Sequence, residues 1–351
     1  MIGVRQLGFF CLAWNILIAS AAAQTVLPDA RLHALVLQGI ELAWQGKRLQ
    51  ADSLFHETIR EFPNHPAGYI YRAGMMQSKA MDQEMQLDET RFDSLIRLGK
   101  EKAKGLMERE GEAKWGHFFV GTAEGYDSYA RVHRGDWMNG TLKGFASVSS
   151  FKDAIRLDSS MYDAYGGIGA FYYWRSRKTE YFNWLPFIGD ARPEAFAFLK
   201  KTIDSGLYNR YTALSMLAAI YADAGSYDKA IECSRAGLER YPANQVFLWA
   251  LATAWHKLGN SREAADAYER LIQAFADEKE NNRYNEIVCR LSLSRFKLEL
   301  ADTLQVRENL TAILKFRKND FPVELQNRAQ DKLDRAKELM RRVLDGHSSN
   351  E

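Results

Sequence analysis

Cysteine is scarce in this chain of 351 residues, with only 3. A disulfide framework is thereby excluded as the main source of stability, because such frameworks need a dense, even set of half-cystines. Proline is scarce as well, at 7. It lacks an amide hydrogen and interrupts helices, so its rarity suits a chain built from long ones. There is no surplus of either charge: 47 Lys and Arg stand against 45 Asp and Glu, a formal net charge of +2. A protein that neutralises many phosphates needs a basic excess, so no nucleic acid partner is expected. Beyond the first two dozen residues no stretch has the length and apolarity of a bilayer-spanning helix. Zincin, P-loop, nucleophile-elbow and CxxC spacings are all missing, so no catalytic residue, metal or cofactor is assigned and no enzyme activity is expected. The content is 46% hydrophobic and 26% charged, with a mean hydropathy of −0.37. That balance excludes collagen-like, disordered and polytopic membrane classes.

The amino terminus is different in kind. Met1 to Arg5 carries one positive charge, Gln6 to Ile18 is mostly apolar, and Ala19 to Ala23 is a run of small residues. This is the order of a secretory leader, so 1–23 is expected to be a signal peptide, cut after Ala23 to leave Gln24 first. An uncleaved anchor is the alternative, but Trp14 and Asn15 weaken the middle of a stretch already short for a bilayer. Cys11 lacks the preceding small residues of a lipoprotein signal. The leader implies an exported protein, and low cysteine use points to a bacterial periplasm or cell surface. Without the leader only Cys233 and Cys289 remain, read as two separate buried thiols.

A 34-residue period organises the remainder. Comparing Tyr211–Asn244 with Gln245–Glu278, Leu214 meets Leu248, Leu217 meets Leu251, Ala218 meets Ala252 and Tyr221 meets Trp255. Gly225 then meets Gly259, Ala230 meets Ala264 and Leu238 meets Ile272. Leu32–His65 fits the same template through Leu35, Gly39, Leu42, Gly46, Ala51, Phe55, Ile59 and Pro63. Large apolar residues at repeat positions 4, 7 and 11 share one face of a first helix, and those at 24 and 28 share one face of a second. Small residues at 8 and 20 let the two backbones approach, and Gly at 15 fits a left-handed turn. One such hairpin cannot bury its apolar face alone, so neighbours must stack.

These residues resemble the tetratricopeptide repeat, clearly over 32–65, 211–244 and 245–278 and irregularly over 66–210. Ser234 and Gly237 depart from its pattern, and the repeat from Gln245 lacks the terminal Pro. The resemblance implies an all-α, right-handed α-α superhelix of about seven hairpins over 24–321, with a charged capping helix and tail over 322–351. Helices are expected near 66–81, 89–109, 118–131, 142–157, 164–173, 195–204, 285–301, 304–318 and 324–344.

Other constellations read as packing. Gly166, Gly167 and Gly169 resemble a phosphate loop but lie in a helical context, where close helix contact explains them better. His117, Glu124, Asp127, His133 and Asp136 fall within one stretch but do not continue one helix face, so no metal site is assigned. The segment Tyr172–Arg192 reads as an insertion in which Tyr173, Trp174 and Trp184 alternate with cations such as Arg177. Its rings either plug the superhelix or bind a partner, lipid or glycan.

The resemblance also implies a concave face near first-helix positions 2, 5, 9, 12 and 13. These are His33, Val36, Ile40, Ala43 and Trp44 in the first repeat. In the repeat from Tyr211 they are Thr212, Ser215, Ala219, Ala222 and Asp223; in the next, Val246, Trp249, Thr253, His256 and Lys257. The expected function is a scaffold that holds a protein or peptide there. A lipid- or glycan-binding module using 172–192, with peripheral membrane or cell-wall contact, is the alternative.

Overall fold

A computed structural model describes residues 24–180, 189–278 and 281–348. The expected leader and Trp184 lie outside the described residues. Fifteen α-helices follow one another among them, with two short 3₁₀ turns before the last and no strand. Seven consecutive pairs are α1 (Ala30–Trp44) with α2 (Arg48–Glu61), α3 (Ala67–Asp82) with α4 (Glu89–Met107), α5 (Ala113–His133) with α6 (Trp137–Leu157), α7 (Tyr162–Lys178) with α8 (Arg192–Ser205), α9 (Arg210–Asp223) with α10 (Tyr227–Arg240), α11 (Gln245–Lys257) with α12 (Ser261–Ala276), and α13 (Tyr284–Glu299) with α14 (Thr303–Leu314). The last helix, α15 (Gln326–Ser348), packs on α13 and α14. Each helix packs mainly on its neighbours in sequence, as an α-α solenoid requires.

The local causes are those of the repeat pattern. Gly46, Gly225 and Gly259 at position 15 adopt φ of +75, +73 and +73°, the left-handed turn between first and second helix. Side chains of Asp29, Asp88, Asp136, Asn244, Asn260 and Asp302 accept amide hydrogens at helix starts. Leu35, Ala51 and Phe55 of the first hairpin are buried, as are Leu248, Leu251, Ala252, Ala264 and Leu271 of the sixth. Gly167 is a packing residue: a Cβ there would overlap the Phe151 ring of α6. Cys233 and Cys289 are free; Cys289 is buried as expected, but Cys233 is only half-buried.

One expectation needs correction. The insertion is shorter than Tyr172–Arg192, because α7 continues to Lys178 and α8 begins at Arg192. Tyr172, Tyr173, Trp174 and Arg177 are therefore helical residues. Their aromatic and cationic character marks helix faces, which the glycine-rich start of α7 disguised. The solenoid is also closed on itself. The amino-terminal segment, the first hairpin and the end of α3 lie along the loops that join the later hairpins.

That closure is built from specific bonds. Thr25 donates its hydroxyl to Asp158 at 2.7 Å, beside the α6–α7 loop. The Leu27 amide donates to the Tyr208 hydroxyl at 3.0 Å, and His33 Nδ1 lies 2.6 Å from that same oxygen. Glu41 accepts from Arg240 and Tyr241 at 2.9 and 2.7 Å. Asn244 caps α11 through its side-chain oxygen and donates its Nδ2 to the Trp44 carbonyl at 2.9 Å. Arg48 pairs with Glu278 and with Asp82 at 2.7 Å, and donates to Gln245 at 3.2 Å. Asn282 and Asn285 donate to the Gln83 and Asp82 carbonyls, and Arg328 of α15 pairs with Glu84. With the Gln86 amide donating to Glu324 at 3.2 Å, the loops after α6, α8, α10, α12 and α14 are engaged in chain order.

Candidate partner-binding surface

The closure decides which part of the expected inner face stays open. The first repeat's candidates, and those nearest the start of α9 and α11, are covered. Val36 is fully buried in the main core, a packing residue rather than a groove residue. Ile40 is half-buried against that core. Trp44 is half-buried too, with ring centroids 5.6, 6.1 and 6.2 Å from Phe247, Tyr241 and Tyr211. Three of the first repeat's five candidates (His33, Val36 and Trp44) are therefore occupied by the protein itself. Thr212 and Ser215 are half-buried, and the Ser215 hydroxyl donates to the Thr212 carbonyl at 2.9 Å, one helical turn back. Trp249 is half-buried edge-on to Tyr268 at 5.8 Å.

Positions near the ends of α9 and α11 are open. Ala219 and Asp223 on α9, and Thr253, His256 and Lys257 on α11, are exposed. His256 stands 5.2 Å from the Phe296 ring of α13. Trp174, at the equivalent end of α7, is 40% exposed and sits edge-on to Tyr173 at 5.2 Å.

Two candidate sets that the sequence keeps far apart meet here. The Tyr173 hydroxyl donates to Asp223 at 2.8 Å, and Arg177 Nε donates to the same carboxylate oxygen at 2.9 Å. Arg177 also pairs with Glu180 at 2.5 Å, and Arg192 pairs with Asp190 at 2.7 Å. With Pro193, Phe196 and Ala224 these residues line a cavity of about 490 Å³ at the edge where α7 and α9 end. Burial, then the hydrogen bond to Asp223, pushes the Tyr173 hydroxyl well above its usual range, so it stays a donor. The Asp223 and Glu180 bonds raise the Arg177 guanidinium further. The cavity wall is a ladder of alternating charges with one phenol. Glu180, Asp190 and Phe196 escaped sequence reasoning. Their only signal was the alternation of acids with Arg177 and Arg192.

The acids of the 117–136 stretch are spent on cations. Glu124 pairs with Lys100 and with Lys143 at 3.0 Å, and Asp127 with Arg131 at 2.7 Å. His117 faces Asp153 at 3.7 Å. Among the described residues no group of three or more His, Cys, Asp or Glu is placed to hold a metal ion.

The model of the tetratricopeptide repeat family matches residues 247–277, within the hairpin formed by α11 and α12. Solved structures are similar in outline. One is the human IFIT1 dimer with m7Gppp-AAAA, at 11% identity and a TM-score of 0.36 over 92% of this chain and 82% of that one. Another is the P58(IPK) TPR domain, at 14% identity and a TM-score of 0.27 over 89% of this chain and 99% of that one. No curated protein matches this chain. Among the described residues the protein is an all-α helical-repeat solenoid whose sixth hairpin matches the model of the tetratricopeptide repeat.

Proposed function

We propose that the chain is a non-enzymatic scaffold that holds a protein or peptide on the strip formed by the last turns of α7, α9 and α11. The observation that carries this reading is selective closure. The first hairpin covers the beginnings of the later first helices and leaves Asp223, Thr253, His256 and Lys257 exposed. The strip offers a carboxylate, a hydroxyl, an imidazole and an ammonium, with the Trp174 indole at one end. Such a mixture suits a peptide that presents backbone amides together with apolar side chains. An extended partner crossing these helices would meet one helix end per hairpin, which is how stacked repeats recognise a linear ligand.

The test is affinity capture from an extract of the source cells with a Thr253→Glu, His256→Glu, Lys257→Glu variant. A partner lost with this variant but kept by a Lys337→Glu control, on the exposed side of α15, supports the strip. An unchanged set of partners refutes it. We further propose export to a bacterial envelope, motivated by the charged, apolar and small-residue order of 1–23. Fractionation with amino-terminal sequencing checks this: a chain beginning at Gln24 in the envelope fraction is the expected result, and an intact Met1 in the cytosol refutes it.

A further inference from the structure

On α6, Trp137, Met138, Leu142 and Phe145 are 54, 74, 60 and 48% exposed. At 3.6 residues per turn Met138, Leu142 and Phe145 fall within an arc of about 60° on one side of the helix, with Trp137 beside them at its first residue. Gly140, Gly144, Val148, Phe151 and Ala154 occupy the buried side. The outer arc of a solenoid helix is normally polar, and a contiguous apolar patch on a surface marks a contact. The patch continues onto α7, where Phe171 packs edge-on to Phe145 at 5.0 Å.

Cations stand around it. Lys178 lies 5.2 Å from the Trp137 ring centre, and Lys152 and Arg175 bracket the Tyr172 ring at 5.5 and 5.4 Å. Helices α6 and α7 together hold Lys143, Lys152, Arg156, Arg175, Arg177 and Lys178 against Asp153 and Asp163, so 6 − 2 = +4, whereas the whole chain is +2. Among the described residues, Lys152, Arg175 and Lys178 pair with no carboxylate, whereas Lys143, Arg156 and Arg177 do.

We propose that this face of α6 docks the protein on a lipid surface bearing anionic headgroups. Indole rings seat at the headgroup level of a bilayer, apolar side chains enter below it, and unpaired cations meet the anionic phosphates. A second copy of the chain is the less favoured occupant, since it would bring the Lys152, Arg175 and Lys178 cations of one face against those of another. Among the described residues no helix is long and apolar enough to cross a membrane, so the contact is peripheral. This surface is separate from the partner strip, and either assignment can fail without the other.

Sedimentation of the full chain with vesicles of phosphatidylcholine, with and without phosphatidylglycerol, tests the proposal. Binding is expected to the anionic vesicles and to weaken as salt is raised. Lys152→Gln and Lys178→Gln should each weaken it about fivefold. Met138→Glu with Leu142→Glu should abolish it, while Val323→Glu, at an 85% exposed site elsewhere, should leave it intact. Circular dichroism checks that the variants remain folded, and the two lysine variants carry the test if the glutamate pair does not. Absence of binding to anionic vesicles overturns the proposal, as does binding that ignores all four substitutions. A dimer that Met138→Glu and Leu142→Glu dissociate would give the face to a second copy instead.

Discussion

Replacing Arg48 by Met should open the closed solenoid at its best-defined clamp. Arg48 begins α2, Asp82 ends α3, and Glu278 follows α12, so one guanidinium ties the first, second and sixth hairpins. The Arg48 side chain is 12% exposed, and those of Asp82 and Glu278 are 19% and 9% exposed. Methionine keeps much of the aliphatic volume but leaves two carboxylates facing each other without a cation. Removing one member of a buried ion cluster costs about 3–5 kcal/mol, and the residual exposure places this case at the lower end of that range. In a chain of this size, such a loss lowers the melting midpoint by about 4–5 °C. The assay is denaturant unfolding followed by circular dichroism and by tryptophan emission, with Trp44 as a reporter at the closure.

Two controls make the reasoning refutable. Adding Asp82→Asn and Glu278→Gln should restore at least half of the lost stability, because the penalty is the uncompensated charge. Burial raises the Asp82 carboxyl above its usual range even with Arg48 present, and loss of Arg48 removes an opposing attraction. An acid whose folded pKa lies above its unfolded one is favoured in the fold when protonated. The deficit of Arg48→Met should therefore be full at neutral pH and shrink as pH falls through the folded value. An Arg48→Met protein within about 1 kcal/mol of the parent, well below the range for a buried pair, would refute the clamp. So would a deficit that the added neutral substitutions leave unchanged.

Burial, with Arg109 adding to it, lowers His65 from 6.5 to about 4 beside the Phe119 ring. Its folded pKa lies below its unfolded one, so its contribution should hold above pH 6.5 and be lost as pH falls toward 4; denaturation of a His65→Gln variant should show a flatter acid limb. Gly167→Ala should destabilise the chain by about 1–3 kcal/mol through overlap with Phe151, measured by thermal unfolding, and a neutral result would contradict the close approach of α6 and α7. Burial raises the Cys233 thiol to about 11 and the Cys289 thiol further, so both should react slowly with a thiol reagent in the native protein. In denaturant, titration should find two thiols if the leader is removed; three would mean that Cys11, and the leader with it, is retained.

Much of the helical pattern was legible because it is local. The expected helices at 66–81, 89–109 and 142–157 are observed as Ala67–Asp82, Glu89–Met107 and Trp137–Leu157. The turn glycines and the small residues at close approaches fall where the period places them. Each depends on one side chain meeting a backbone need within a turn or a neighbouring helix. The α7 boundary was misread because Gly166, Gly167 and Gly169 and the ring-rich residues after them look like loop composition. Their helix is stabilised by packing on Phe151 and Leu199, which no local propensity records.

The candidate surface was legible only in outline. Position in the repeat places Val36, Trp44, Thr253 and Lys257 alike on the inner side, and nothing within a repeat tells them apart. Curvature does. Small rotations between hairpins accumulate over the whole array, so the end of the solenoid meets its beginning or passes it according to a sum that no single segment contains. Here the sum brings Arg48 to Glu278 and Trp44 to Phe247, burying one half of the inner face, and it brings Arg177 to Asp223 at the edge of the other. The sequence by itself determined paired, stacked helices and which side of each is buried against its neighbours, because those follow from periodicity. Only the tertiary structure decided which of the inward residues a partner can reach, because that depends on contacts between hairpins about two hundred residues apart.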